Sequence, residues 1–512
     1  MKFYILLLLF YIELTSENKV KNISEDEKTK LYWIKSGKEE LIKKLKENQI
    51  KKVAKNIIIF IGDGMGPSTL AASRAYKNQR MVNSTSPDIN LSFDTLSNAG
   101  IVKTYSVNDY VADSSSTATA IFTGVKIRSG VVGVGPNVYY ENCSTYSSET
   151  DNLLSIGTMF SKLKKSVGIV TTTRITHATP ASLYAHTPSR DWEYKVPRNC
   201  GLQLDDIALQ LFKKAHQFQV VLGGGSKYFL PNTLNGSRED GRNLLLEWKK
   251  SMKARSALIT NSSEFWKVDA RETDYLFGLL NENHLKYDYY RQDQPSLTDL
   301  TDMAIKILSK NKNGYFLLVE GGKIDIAHHN SKAVLAILET LAMDKAVDHA
   351  IKSVNFEDTL VIVTADHSHV FTIGSYAERD IDITQKNNAL SGEETDKKGH
   401  TSLLYSNGPG FVEPRINVTE KTNFTEEYVY SSGVPLSYET HGGEDITVYA
   451  DGPWSHLISG LHQQSYIGHL MMFASCVGSY ESSDHCNKSQ FSSKIQLQLI
   501  LVNLVLICLF KL

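Results

Sequence analysis

Carboxylate and imidazole side chains concentrate in one short stretch of this 512-residue sequence, between positions 315 and 329. An apolar run at 315–319 is followed by Glu320, and then by Asp325 and His329. A buried strand that ends in a carboxylate leaves a charge that is costly to desolvate unless a cation neutralises it. Asp325 and His329 are four positions apart, so on a helix they share one face and can bind the same metal ion. A capped helix with an incidental histidine has the same pattern, so this stretch alone does not establish a metal site.

A second apolar strand, predicted at 360–363, ends in similar chemistry. It is followed by Asp366, His367 and His369. Two strand ends of this kind in one chain favour a metal centre over chance spacing.

Two more candidate ligands stand in glycine-containing loops. His441 precedes the apolar run 446–449, and Asp63 follows the apolar run 56–61 in the turn Gly-Asp-Gly. This turn lacks the spacing of a dinucleotide-binding loop. We therefore interpret Asp63 as an acid at the carboxyl end of a strand, where open α/β sheets bind ligands.

A possible nucleophile lies in the small-residue segment 113–120. Ser114 there can begin a helix, whose N-terminal N–H groups attract an anion. The alternative is a plain helix cap made by Ser114 or Ser115. Arg190 would complement the first interpretation, because a guanidinium group binds phosphate oxygens through two N–H groups at once.

These residues must be positioned by strands, and strand-like runs alternate with helical patterns along the chain. The runs are at 57–61, 100–105, 166–171, 220–222, 315–319, 360–363, 401–405 and 446–449. The alternation predicts one α/β domain over 17–487, with a large, mostly parallel central sheet flanked by helices. An amphipathic helix is predicted at about 25–48, and the polar segment 372–437 is predicted to be an inserted surface subdomain.

The chain ends predict an exported, anchored protein. Residues 1–16 have one cation and a short apolar run, as in a secretory signal peptide. The interrupted apolar tail 495–512 follows a polar spacer, which favours a removed glycosylphosphatidylinositol (GPI) signal over a retained spanning helix. We predict Asn487 as the anchor residue, 488–512 as the propeptide and the outer face of the cell membrane as the location.

Lys plus Arg total 55 against 56 Asp plus Glu, so nothing in the charge balance indicates nucleic-acid binding.

Four cysteines outside the tail form an even set, as is typical of exported proteins. Three pairings are possible, and proximity favours Cys476 with Cys486, which leaves Cys143 with Cys200. Nine Asn-x-Ser/Thr sites agree with secretion and glycosylation, at Asn22, Asn83, Asn90, Asn142, Asn235, Asn261, Asn417, Asn423 and Asn487.

Together, these motifs resemble the alkaline phosphatases, in particular their secreted, GPI-anchored animal members, from about residue 31 to residue 486. The resemblance implies a homodimer that hydrolyses phosphate monoesters of many kinds at alkaline pH. It also implies that Ser114 becomes phosphorylated and that Arg190 holds the phosphate.

The resemblance implies three metal ions as well. One zinc ion would be bound by Asp325, His329 and His441. A second zinc ion would be bound by Asp63, Asp366, His367 and Ser114. A magnesium ion would be bound by Asp63, Glu320 and Thr179. His177 matches a position just outside the ligands.

The resemblance is weakest at an accessory calcium site of the family. Its carboxylates should lie near 280–281 and 294–295, where this chain has Asn281 and Gln294, although Glu282 and Asp293 are adjacent. Calcium is therefore left out of the prediction.

Two other functions fit parts of the pattern. A phosphodiesterase or sulfatase on the same scaffold would have a threonine or a modified cysteine as nucleophile, where this chain has Ser114. A surface glycoprotein without catalysis, acting in adhesion or as a receptor, would be expected to have lost Ser114, Arg190 or a metal ligand, and all are present.

Overall fold

The structure is a computed structural model that describes residues 29–81, 90–200, 204–252, 255–376, 379, 381–387 and 396–486. The predicted signal peptide, the anchor residue Asn487 and the propeptide 488–512 lie outside these residues. Within the described part of the chain, no helix combines the length and the apolar character that crossing a membrane requires.

A ten-stranded sheet forms the centre of the protein, in the order β15-β2-β14-β8-β1-β7-β3-β4-β6-β5. Its strands are β1 Asn56–Gly62, β2 Asn98–Lys103, β3 Ser166–Arg174, β4 Val220–Gly224, β5 Ser256–Ile259, β6 Tyr275–Leu279, β7 Tyr315–Gly321, β8 Thr359–Ala365, β14 Ile446–Asp451 and β15 Gly460–Gln463. All pairings in this sheet are parallel except those of β14, which is antiparallel to β2 and β8. The predicted fold class, an α/β protein with a mostly parallel sheet, is confirmed.

Helices cover this sheet. They are α1 Lys30–Leu45, α2 Pro67–Tyr76, α3 Ser114–Thr123, α4 Ile156–Lys162, α5 Ala178–Ala181, α6 Ile207–Lys213, α7 Leu244–Ser251, α8 Ser262–Phe265, α9 Leu297–Leu308, α10 Lys323–His329, α11 Ala333–Ser353 and α12 Ser465–Ser475. One group packs α9 and α2 against α11, and another packs α12 against α3 and β1. Strands β1, β7 and β8 are buried along their whole length, as expected for parallel strands with helices on both faces.

The register of the central strands fixes where the functional side chains emerge. Gly62 at the end of β1 pairs with Gly321 of β7 on one side and with Ala365 of β8 on the other. Asp63, Glu320 and Asp366 therefore lie at the same edge of the sheet, the carboxyl edge where parallel sheets place ligands.

Two short pairings add to the main sheet. Strands β10 Phe371–Ile373, β11 Leu403–Gly408 and β12 Ser432–Pro435 form a three-stranded sheet within the predicted insertion. Strands β9 Ser368–His369 and β13 His441–Gly442 pair antiparallel, so that His369 lies opposite His441. The chain thus leaves for the insertion and returns from it beside the predicted metal ligands.

Helix α1 contrasts with the rest of the fold. None of its residues is buried, and Leu31, Leu41 and Leu45 are more than half exposed. Its apolar side therefore has little contact with the domain to which it belongs.

Disulfides join Cys143 to Cys200 and Cys476 to Cys486, with Cα–Cα distances of 5.4 and 5.8 Å. This is the pairing that sequence proximity favoured.

Candidate active site

Three predicted ligands converge at one point. Asp325 and His329 lie on α10, and His441 lies on β13. The Nε2 atom of His329 is 3.2 Å from Asp325 Oδ1, that of His441 is 3.3 Å from the same oxygen, and the two nitrogens are 3.3 Å apart. Ligand atoms on a tetrahedral zinc ion, with bonds of about 2.0–2.2 Å, lie about 3.3–3.6 Å from one another. The three residues thus have the chemistry and the spacing of a zinc site.

A second cluster surrounds Ser114. The serine Oγ is 3.1 Å from His367 Nε2 and 3.3 Å from Asp63 Oδ1. His367 Nε2 is 3.2 Å from Asp366 Oδ2, and the rings of His367 and His441 stack at 3.6 Å. This cluster therefore lies next to the first one and includes the predicted nucleophile.

The predicted histidine ligands are oriented by backbone carbonyl groups. In each ring Nδ1–H donates to a carbonyl oxygen: His329 to Glu439, His367 to Ser368 and His441 to Ala112. In the neutral form of each ring, which has one N–H, Nε2 is therefore the unprotonated nitrogen that can bind a metal. Such outer hydrogen bonds are typical of histidines that bind metals.

The third cluster holds Glu320 and Thr179, both fully buried. Thr171 and Thr173 donate hydrogen bonds to Glu320 Oε2, but Glu320 Oε1, Thr179 Oγ1 and Asp63 Oδ2 have no hydrogen-bond partner among the described residues. Burial raises the pKa of Glu320 to about 7. Buried oxygens without partners are destabilising, and a hard cation such as magnesium would satisfy all three.

The electrostatics of the site also favour bound cations. Burial, together with the charges of Asp366, Asp325 and Glu320, raises the pKa of Asp63 well above its usual value. Asp325 shows the opposite shift: burial opposes its ionisation, but three histidines, of which His329 acts most strongly, hold its pKa well below the usual range. Carboxylates this close together are stable in their charged form only when positive charge lies between them.

Two residues that the sequence did not assign complete this region. His369 is fully buried, with Nε2 2.9 Å from Asp325 Oδ1 and Nδ1 2.5 Å from Glu439 Oε2. Burial lowers the pKa of His369, but Glu439 and Asp325 outweigh it and raise the pKa to about 10. His369 stood in the strand-end motif, whereas Glu439 carried no signal beyond its place two residues before His441.

Arg190 is held from two sides. Its Nη1 donates to Asp113 Oδ2 at 3.0 Å, and its Nη2 is 3.3 Å from His177 Nε2. Burial and the positive charge of Arg190 keep the pKa of His177 well below its usual value. Because arginine can only donate, Nε2 of this neutral ring accepts, and Nδ1 has no hydrogen-bond partner among the described residues.

Asp113 links Arg190 to the helix of the nucleophile. It caps α3, accepting from Ser116 N at 3.1 Å, and it also accepts from Ser115 Oγ at 2.6 Å. Ser114 is the first residue of α3, where the helix offers free N–H groups. The site therefore brings a serine hydroxyl, a guanidinium group and three metal-type clusters together, which suits transfer of a phosphoryl group.

The region that corresponds to the accessory calcium site of the family contains Asn281, Gln294 and Asp293. The Asn281 amide donates to the His284 carbonyl at 2.5 Å, and the Gln294 amide donates to the Leu280 carbonyl at 3.4 Å. Asp293 is paired with Lys286 at 3.0 Å. Each of these side chains thus bonds to another group, and calcium stays outside the prediction.

Comparison with known proteins identifies the family. A family model described as alkaline phosphatase matches residues 54–477. The chain is 41% identical to the tissue-nonspecific alkaline phosphatase of Felis catus over 491 residues, 91% of each chain, and 40% identical to that of Homo sapiens over 487 residues. It is 38% identical to a membrane-bound alkaline phosphatase of Bombyx mori over 475 residues, 87% of this chain and 85% of that one.

Solved structures show the same fold. The alkaline phosphatase of the Antarctic bacterium TAB5 matches with a TM-score of 0.59 at 24% identity, over 83% of this chain and 99% of that one. The alkaline phosphatase of Thermus thermophilus matches with a TM-score of 0.61 at 21% identity, over 83% and 92% of the two chains. With the site described above, these matches show that the chain belongs to the alkaline phosphatase family of metal-dependent phosphomonoester hydrolases.

Proposed function

We propose that this enzyme hydrolyses phosphate monoesters through a phosphoserine at Ser114, with two zinc ions and one magnesium ion. The observation that carries the proposal is the position of Ser114 Oγ, 3.1 Å from His367 and 3.3 Å from Asp63. No histidine base is needed for a serine inside such a donor set, because zinc lowers the pKa of a bound hydroxyl and stabilises the oxygens that gain charge.

The ligand assignment follows the three clusters. Zinc would be held by Asp325, His329 and His441, and by Asp63, Asp366, His367 and Ser114. Magnesium would be held by the three buried oxygens without partners, on Asp63, Glu320 and Thr179. Since the histidines must bind as neutral rings, metal binding and activity are expected to favour alkaline pH.

In the first step the Ser114 hydroxyl loses its proton to solvent and Oγ attacks phosphorus, while the bond from phosphorus to the alcohol oxygen breaks and the alcohol takes a proton from solvent. Arg190 binds the phosphoryl oxygens, and the first N–H groups of α3 add further donors. Asp113 and His177 keep the guanidinium group in place, so little ordering is needed during the reaction.

In the second step water attacks phosphorus and releases a proton to solvent, the bond to Ser114 Oγ breaks, Oγ regains a proton from solvent, and inorganic phosphate leaves. The residues named above grip the phosphoryl group and not the alcohol. A broad range of phosphate monoesters is therefore expected as substrates.

The proposal is tested with purified protein and a generic aryl phosphate at alkaline pH. We expect hydrolysis that chelation abolishes and that zinc with magnesium restores. Ser114→Ala should keep its zinc but form no phosphoenzyme, whereas the matched control Ser116→Ala should still be labelled. A metal-loaded wild-type protein without activity would overturn the proposal, and labelling of Ser114→Ala would overturn the choice of nucleophile.

We also propose export and a GPI anchor at Asn487, which would hold the enzyme on the outer face of the cell membrane. The support comes from the sequence of the two chain ends. Treatment of cells with a phosphatidylinositol-specific phospholipase should release the enzyme, and retention on the membrane would contradict the anchor.

A homodimer is the third part of the proposal. The exposed apolar side chains of α1, including Leu31, Leu41 and Leu45, would be stabilised by contact with a second copy. Sedimentation should give twice the mass of the chain, and a change of Leu41 and Leu45 to glutamate should weaken that association. A wild-type monomer would contradict it.

A further inference from the structure

A buried glutamine lies behind the metal ligands, outside every cluster described so far. Gln464 follows β15, immediately before α12, and is fully buried. Its Nε2 donates to the backbone carbonyl of Asp366 at 2.6 Å. Its Oε1 has no hydrogen-bond partner among the described residues. Because Oε1 lacks a partner, the hydrogen bond from Nε2 to the Asp366 carbonyl is what offsets the cost of burying this amide.

The bond completes the support around Asp366. The carboxylate Oδ1 of Asp366 accepts from Gly64 N at 2.9 Å and from His367 N at 2.8 Å. Those contacts fix the side chain, whereas Gln464 holds the main chain at the point where it leaves β8. A shift of this carbonyl would move both Asp366 and His367.

The helix that follows Gln464 also contacts the helix of the nucleophile. α12 packs on α3 so closely at Gly468 that a Cβ atom there would lie 2.7 Å from the Ile121 carbonyl oxygen. His469 Nε2 donates to the Gly124 carbonyl at 3.1 Å, at the end of α3. One element therefore contacts both the residue that leaves β8 and the helix that begins with Ser114.

We propose that Gln464 is a positioning residue, which fixes Asp366 and His367 relative to Ser114 through its bond to the Asp366 carbonyl. The inference rests on the proposed function, because it assumes that Asp366 and His367 bind a zinc ion. Gln464 itself touches neither metal nor substrate. Loss of an outer hydrogen bond of this kind typically lowers metal affinity or activity by about 10- to 100-fold.

The test compares Gln464→Leu, which removes the donor at similar volume, with Gln463→Leu at the neighbouring position. Gln463 Oε1 has no hydrogen-bond partner among the described residues, so this control makes the same chemical change away from Asp366. Zinc release from each loaded protein into a coloured chelator is followed in time. If Gln464→Leu fails to fold, Gln464→Met is used in the same way.

We expect two phases of zinc release. In Gln464→Leu, zinc should leave the site of Asp366 and His367 about tenfold faster than in wild type. Zinc should leave the site of Asp325 at the wild-type rate. Gln463→Leu should match wild type. Equal rates in all three proteins, or equal acceleration of both phases, would overturn the inference, because general loosening of the fold affects both sites.

The readout separates this inference from the proposed function. If loaded wild type hydrolyses no aryl phosphate, the proposed function fails, and the zinc-release comparison still decides the role of Gln464. If wild type is active and Gln464→Leu releases zinc as wild type does, only the positioning role fails.

Discussion

Replacement of Arg190 by lysine measures how much the geometry of the guanidinium group contributes to catalysis. Arginine has five N–H groups. Asp113 takes one of them at 3.0 Å and His177 faces another at 3.3 Å, which leaves three for phosphate oxygens in one plane. Lysine has three N–H groups on a flexible chain, and Asp113 would still take one.

Arg190→Lys thus keeps the charge but loses about one charged hydrogen bond to the phosphoryl group. Such a bond is worth about 1.5–3 kcal/mol. If this energy is lost only in the transition state, kcat/KM for an aryl phosphate should fall by about 10- to 150-fold. The side chain is 22% exposed, so solvent screening favours the lower half of this range.

The assay is steady-state hydrolysis with metal content measured on the same samples. Arg128→Lys, at a half-buried arginine whose Nε donates to the Pro136 carbonyl, serves as the matched control and should behave as wild type. A kcat/KM for Arg190→Lys within twofold of wild type, at equal zinc content, would refute the role given to Arg190.

Three further predictions concern metal affinity and stability. Glu439→Gln removes the carboxylate at 2.5 Å from His369 and should lower zinc affinity about tenfold, measured in zinc buffers; unchanged affinity would contradict the supporting role of His369. Loss of the Cys143–Cys200 disulfide, which spans 57 residues, should lower the free energy of unfolding by about 4 kcal/mol on the loop-entropy model, and denaturant titration that gives less than 1 kcal/mol would argue against that model here. Burial opposes ionisation of Asp113, but Arg190 and nearby donors outweigh it and lower the pKa of this carboxyl group. The carboxylate therefore stabilises the fold above the unfolded pKa of about 3.9, and this contribution is lost as pH falls through the folded pKa. The difference in unfolding free energy between metal-free wild type and Asp113→Asn should therefore be largest near neutral pH and shrink below about pH 4. A difference that grows in acid would contradict a lowered pKa of Asp113.

The central strands could be predicted because their sequences leave few alternatives. The runs that became β1, β7 and β8 are apolar and rich in β-branched or aromatic residues, and each ends in a charged or small residue. The ligands at their ends follow from the same pattern, because parallel strands bring their carboxyl ends to one edge. Strands β5, β6, β9, β10, β12, β13 and β15 were not predicted, and β15 in particular, Gly460–Gln463, has no apolar periodicity.

The supporting residues of the site could not be predicted in the same way. Glu439, Asp113 and Gln464 act through contacts with His369, Arg190 and the Asp366 carbonyl, and these partners are 70, 77 and 98 positions away in the chain. No local spacing reports such contacts, since they arise only when distant segments pack. The antiparallel direction of β14 is likewise a property of the assembled sheet.

The pairing of His369 with His441 has a consequence for the segment between them. Two residue pairs, His369 with His441 and Ser368 with Gly442, hold together the two ends of the segment 370–440. Because this base already fixes the spacing of its two ends, extra residues at exposed positions far from Glu439 leave the pairing of His369 with His441 in place. Polar positions near its outer part, such as Lys421, should accept an inserted peptide tag while activity is retained, so this segment is a natural place to attach a label or a binding module to the enzyme.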